Sequence, residues 1–147
     1  MIEIRTAFSS DIPEILPLLA QLGYPASKSD FEQRFNEFLS LDGYGVLIAS
    51  QDGKIAGVIA WSKSKLFVVD KIRFHIEGLI VDEKCRGKGV GQKLVRAMEE
   101  LLRGARPSII DLTSGLRREK DKTHEFYKKL GYHNEGYMAK VYLRKDL

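Results

Sequence analysis

Three glycines at alternate positions, Gly87, Gly89 and Gly91, stand with Arg86 and Lys88 between an apolar run ending at Val81 and an amphipathic pattern opening at Val90. Few folds accommodate that arrangement. Glycine admits left-handed backbone and lets a ligand approach the main chain. A helix starting directly behind the glycines points its unbonded N–H groups and the positive end of its dipole at the same spot. With two cations added, the segment reads as a cradle for an anion such as a diphosphate, made largely of backbone. In front of it, Phe74 to Val81 has the composition of a strand. Behind it, Val90, Leu94, Val95, Met98, Leu101 and Leu102 fall at helical spacing as far as about Arg103.

The other elements alternate in the same way. Ile2 to Arg5 reads as a first strand. Ser10 is placed to cap a helix reaching Leu22, with Ile12, Ile15, Leu16, Leu19 and Leu22 on one face. Pro13 fits its first turn, Pro17 is expected to kink it, and Gly23 to end it. Ser29 and Glu32 have capping-box spacing for a second helix striped by Phe31, Phe35, Phe38 and Leu39. Val46 to Ala49 and Ile55 to Trp61 predict a hairpin around Asp52-Gly53. Ser62 to Arg73 is ambiguous: Leu66 to Val69 looks like a strand end, but its flanks are charged. Ser108 to Leu112 is a buried-type strand. Asp121 is placed to cap a helix that Gly131 stops, and Tyr137 to Leu143 is expected as a closing strand. Strands joined through helices make an α/β layered sheet with at least one parallel pair. No repeat or linker interrupts residues 1–147, which are expected to form a single domain.

Composition narrows the function. With 44% hydrophobic and 30% charged residues, the chain is an ordinary globular protein. No apolar run approaches the ~20 residues of a membrane helix. The N-terminus lacks the pattern of an export signal, and Cys85 alone cannot form an internal disulfide, so a cytoplasmic protein is expected. The 24 Lys and Arg against 20 Asp and Glu leave a net charge of +4. That mild excess suits a phosphorylated small molecule. Nucleic acid is disfavoured, because the cations are scattered and no aromatic-rich basic stripe accompanies them. Neither a membrane partner nor a metal is indicated.

Two nucleotide motifs fail on spacing. No Gly-Lys-Ser/Thr follows the first glycine at P-loop distance, and the glycines run Gly-x-Gly-x-Gly rather than Gly-x-Gly-x-x-Gly. What remains is Arg-x-x-Gly-x-Gly between strand and helix. A second motif, Phe126-Tyr127-Lys128-Lys129-Leu130-Gly131-Tyr132, follows downstream. In this order the two motifs, and the succession of elements along the whole chain, resemble the GCN5-related N-acetyltransferase (GNAT) family. The resemblance implies a mixed central sheet with helices on both faces and strands splayed at an acetyl-CoA site. It implies that Arg86, Gly87, Lys88, Gly89, Val90 and Gly91 hold the pyrophosphate of acetyl-CoA, the cosubstrate. It further implies that the strand at Leu79, Ile80 and Val81 pairs its backbone with the pantetheine arm through Leu79 and Val81, and that Tyr127 protonates the departing thiolate.

The reaction needs a base, since an aliphatic amine with a pKa near ~10 is protonated at neutral pH. Glu77 and His75 lie two apart on the strand beside the expected thioester, and so share a face unless a bulge intervenes. Each residue also has a plainer reading. Glu77 suits a structural ion pair, His75 a core position, Tyr127 a packing role, and Arg86 and Lys88 a solvated surface. Cys85 has no base beside it in sequence and is not read as a nucleophile.

The acceptor is less determined. Ser114 and Thr123 stand where the ribosomal-protein and N-terminal acetyltransferases usually carry Asn and Ala, which weighs against a peptide. The chain is more similar to the aminoalkylphosphonate and aminoglycoside branches, so a small-molecule primary amine is expected. Tyr24, Phe31, Phe35 and Phe38 would wall its site, and Lys63, Lys65, Lys71 and Arg73 would attract an anionic group on it. Trp61 fits either such a pocket or the core. A peptide acetyltransferase and an acyl-CoA sensor without turnover remain alternatives, and a homodimer is left open.

Overall fold

The computed structural model describes residues 1–105, 107–114 and 122–147. The chain divides into two compact units, Met1–Ile110 and Asp111–Leu147. The first holds β1 (Ile2–Thr6), α1 (Ile12–Leu22), α2 (Lys28–Ser40), β2 (Gly45–Gln51), β3 (Lys54–Lys65), β4 (Ile72–Val81) and α3 (Val90–Leu102), and β5 (Ser108–Leu112) crosses the boundary. The sheet order is β1-β2-β3-β4-β5, antiparallel through its first three junctions. Arrival of β5 through the α3 crossover makes the open sheet mixed, as expected. No helix among the described residues is long and apolar enough to cross a membrane.

Alternation along the strands feeds two cores. Val46, Ile48, Val58 and Ile80 pack with Ile12, Ile15 and Leu18 of α1 and Phe35 of α2. Ile55 joins the same face as Val58 although three residues away. Ala49 pairs with Gly57 while Ser50 pairs with Ile55, so Ala56 is an extra residue that resets the alternation. On the opposite face α3 buries Val90, Leu94, Val95 and Met98. It lies very close: a Cβ on Gly57 would sit 3.0 Å from Val90 Cγ1 and 3.1 Å from Leu94 Cδ1. The absent side chain at Gly57 therefore fixes how near the start of α3 comes to the sheet. Helices thus cover both faces.

The hairpin turn forms where expected, with Asp52 at φ 53° and Gly53 at φ 77°, the pair of positive values a tight two-residue turn requires. Other boundaries moved. Ser27, not Ser29, caps α2 by accepting the Asp30 N–H at 3.2 Å. Ser10 lies in a single 3-10 turn, Ser9–Asp11, ahead of α1, which continues past Pro17 as one element. Asp11 is buried there, held bidentately by Arg5 at 2.8 and 2.9 Å and by the Phe8 N–H at 2.7 Å. The Arg5 guanidinium keeps its carboxyl below the ordinary Asp range, against the opposing effect of burial. The ambiguous stretch is the connection from β3 to β4. Leu66 and Lys71 close it through backbone bonds, Lys65 pairs with Asp70, and Phe67 is left fully exposed at its tip.

In the second unit α4 (Thr123–Lys129) ends as its glycine predicts. Gly131 takes φ 99°, its N–H donates to the Lys128 carbonyl, and the Tyr132 N–H reaches back to Tyr127 at 3.0 Å. Asp121, the expected cap, lies outside the described residues. Tyr137 to Leu143 is not a strand. Gly136–Met138 forms a 3-10 turn, and the Asn134 side chain takes both backbone groups of Lys140, at 2.7 and 3.1 Å, that a sheet ladder would need.

Candidate active site

Beyond β4 the chain turns sharply because Asp82 organises it. Its carboxylate accepts the Lys84 N–H at 3.0 Å, its carbonyl accepts the Cys85 N–H, and Gln21 of α1 reaches both Asp82 and the Glu83 N–H. Gly87 at φ 79° and Gly89 at φ 82° then adopt left-handed backbone. The first helical bond of α3 runs from the Lys93 N–H to the Gly89 carbonyl. The N–H groups of Val90, Gly91 and Gln92 therefore lie ahead of the ladder, and no side chain caps them. Nothing lies within 4 Å of where a Cβ would stand on Gly87 or Gly89. Lys88 is exposed beside them, while Arg86 folds back, its Nε 3.3 Å from the Val81 carbonyl. Val90 contributes only its N–H, since its side chain is core. The space, the donors and the cation fit a diphosphate group.

β4 carries a second bulge, and it decides the site. Ala60 pairs with Gly78 but Trp61 pairs with Ile76, so Glu77 is the extra residue. Above the bulge, the Asp82 N–H bonds the Ala56 carbonyl on β3 at 2.8 Å. Alternating from there, Ile80 and Gly78 direct their backbone groups to β3, and Leu79 and Val81 direct theirs to the other edge. Along that edge β5 runs out. Ile72 meets Pro107 at the foot of β5, whose five residues cannot reach the far half of the ten-residue β4. Leu79 and Val81 thus offer main-chain donors and acceptors where the strands part, whereas Ile80 offers a side chain to the cavity described next.

Beneath α1 and α2, against β2, β3 and β4, lies a cavity of about 310 Å³. Phe31, Phe35, Phe38, Leu19 and Leu22 form its helical wall, and Ala60, Gly78 and Ile80 its floor. Two charged side chains line it, Glu77 and Arg34. The bulge turns Glu77 to this face, where the Ser62 hydroxyl donates to its carboxylate at 2.6 Å. His75 stands directly opposite Ser62 and shares the face. Arg73, always a donor, comes within 2.8 Å of His75 Nδ1. Nδ1 therefore accepts that bond, and Glu77 is the carboxylate that lines the cavity.

The expected acceptor residues divide. Phe31, Phe35 and Phe38 line the cavity; Tyr24 is exposed away from its lining. Trp61 is core, with its Nε1–H on the Gly43 carbonyl at 3.1 Å. None of Lys63, Lys65, Lys71 and Arg73 lines the cavity; Lys63 pairs with Asp42 and Lys65 with Asp70. The cation at the cavity is instead Arg34, beside the aromatic stripe of a helix that sequence reading valued for its aromatics. Ser62 was likewise missed.

Tyr127, on α4 in the second unit, is buried against Phe126 and Tyr132, with ring centroids 5.1 and 5.8 Å away. Burial pushes its phenol up to about 12, so it stays protonated through the physiological range. The sign of the linkage follows. Between pH 10 and 12 the unfolded chain ionises this group and the folded chain does not, so stability present below pH 10 is lost as pH rises. The loss should be on the order of 2 kcal/mol. Alkaline denaturant titrations of wild type and Tyr127→Phe check this, with the variant expected to lose less over that window.

The chain matches the Acetyltransferase (GNAT) family over residues 12–132. It therefore belongs to that family, whose members are acetyl-CoA-dependent N-acetyltransferases. It is 32% identical over 108 residues to glucosamine 6-phosphate N-acetyltransferase 1 of Oryza sativa subsp. japonica, a match spanning 69% of this chain and 66% of that protein. The crystal structure of glucosamine-6-phosphate N-acetyltransferase from Arabidopsis thaliana superposes with a TM-score of 0.75 at 25% identity, over 98% of this chain and 99% of that one. An aminoglycoside N-acetyltransferase in complex with CoA shares the fold, with a TM-score of 0.82 at 18% identity over 100% and 96% of the two chains.

Proposed function

We propose that residues 1–147 act as one acetyltransferase domain that moves an acetyl group from acetyl-CoA to the primary amine of a small molecule. The observation that carries this reading is the single strand β4. Its bulge turns Glu77 to an apolar cavity, its next residues turn their backbone to an open edge, and its end leads into the anion cradle of α3. When bound, acetyl-CoA supplies the activated acyl carbon and the thiolate that leaves. The N–H groups of Val90, Gly91 and Gln92, with Lys88 and Arg86, hold the diphosphate. Leu79 and Val81 align the pantetheine arm and offer an N–H to the carbonyl oxygen as it gains charge. Glu77, steadied by Ser62, takes the proton from the amine. The family resemblance of its motif gives Tyr127, which burial keeps protonated, the role of returning one to the sulfur as the C–S bond breaks and the C–N bond forms.

The size of the acceptor follows from the cavity. A volume of about 310 Å³ under α1 and α2 suits a compact molecule rather than a folded chain. The named substrates of the relatives in rice and thale cress, and of the aminoglycoside enzyme, support a small amine. A competition assay with small amines and basic peptides at matched concentration tests this. Small amines should carry at least ~10-fold the kcat/KM of any peptide; peptides alone being acetylated would contradict the assignment.

A further inference from the structure

Resting on the small-amine reading, we infer that the acceptor is an apolar zwitterion: a primary amine and a carboxylate carried on one hydrophobic body. The cavity presents two charges from opposite walls, Arg34 on helix α2 and Glu77 on strand β4, and every other lining residue is apolar or glycine. One positive and one negative group, both solvent-accessible, on an otherwise apolar open cavity match a ligand bearing one of each. An amine without a carboxylate would leave Arg34 with water as its only partner at the cavity. A phosphate monoester carries nearly two negative charges at neutral pH and would leave one unbalanced beside Glu77. A polyhydroxylated sugar would lose water from its hydroxyls against Leu19, Leu22, Phe31 and Phe38 with few partners to replace it.

Arg34 is equipped for the carboxylate. Its guanidinium lies over the Phe31 ring, 5.9 Å from the centroid, which orients the planar fork and thins its hydration. Among the described residues no carboxylate pairs with it, whereas Arg5, Lys63 and Lys65 each have an acidic partner. Glu77 receives the ammonium end, the position from which it takes the proton. The aromatic and aliphatic wall contacts the body between.

The test measures thiol release from acetyl-CoA with matched probe pairs, 4-(aminomethyl)benzoate against benzylamine and phenylalanine against phenethylamine, with glucosamine 6-phosphate alongside. In the wild type at least one carboxylate-bearing probe should exceed its neutral twin by ~10-fold or more in kcat/KM, mostly through KM, as a charged hydrogen-bonded pair would give. It should also exceed glucosamine 6-phosphate. In Arg34→Met, which keeps the bulk against Phe31, the ratio within the pair should fall to near one. Ratios near one in the wild type, a ratio that persists in Arg34→Met, or a preference for glucosamine 6-phosphate would overturn the inference. In those cases small amines still turn over and the broader reading stands; release by no small amine at all would overturn both.

Discussion

Glu77→Gln is expected to lower kcat by roughly 10²-fold or more, the typical loss of one general base. The shape of the pH–rate profile should change with it. Glutamine keeps the size of the side chain and can still accept from Ser62, so the local packing remains. Glu77 is exposed and bulged out of the ladder, and its replacement should leave the melting temperature and CoA affinity near their wild-type values. Steady-state kinetics across pH, with a CoA titration on the same preparation, checks this. A purely structural Glu77 would show the reverse: a lower melting temperature with kcat intact and both limbs of the profile unchanged.

Gly89→Val should weaken CoA binding by roughly 10-fold or more, as loss of charge-assisted backbone contacts would give. Two effects act together. At φ 82° a β-branched residue sits in left-handed backbone at a cost of about 1–2 kcal/mol. No atom lies within 4 Å of its new Cβ, so the fold meets no clash and the side chain takes up open space at the start of α3, where the cradle would receive its ligand. The domain should fold and melt a few degrees lower. Calorimetry on a folded variant with unchanged CoA affinity would remove the cradle from the account. Gly89→Ala, with less bulk, should fall between the two.

These two residues differ in how far the sequence alone exposed them. The cradle was legible because every part of it is local: glycines, cations and a helix start follow one another within Arg86 to Gly91. The face of Glu77 was not. Plain alternation groups it with Leu79 and Val81, and it reaches the cavity only because Ala60 and Trp61 on β3 pair with Gly78 and Ile76. The local trace of that slip was Gly78, a glycine in the interior of the strand, which often marks a bulge. His75 and Glu77 do share a face, by way of Ser62 rather than by spacing.

The cavity wall shows the same limit. Aromatic spacing on α2 was readable, and Phe31, Phe35 and Phe38 do line one cavity, because helical period sets which side chains align. The charge partner was misjudged, since a lysine-rich segment attracts notice while the neighbours that engage it, such as Asp42 for Lys63, lie far off in sequence. At the C-terminal end, Tyr137 to Leu143 reads as a strand in sequence but does not form one. The competing Asn134 side chain prevailed at Lys140, an outcome that composition does not reveal.

The central claim is transfer rather than mere binding, and one measurement separates them. Wild-type protein is incubated with acetyl-CoA and a small primary amine, and free thiol and acetylated amine are quantified together over many turnovers. The account predicts equal amounts of the two products, each far exceeding the enzyme, and both suppressed in Glu77→Gln. Tight CoA binding with no acetylated amine above background across the amine panel would contradict it and identify the chain as an acyl-CoA sensor.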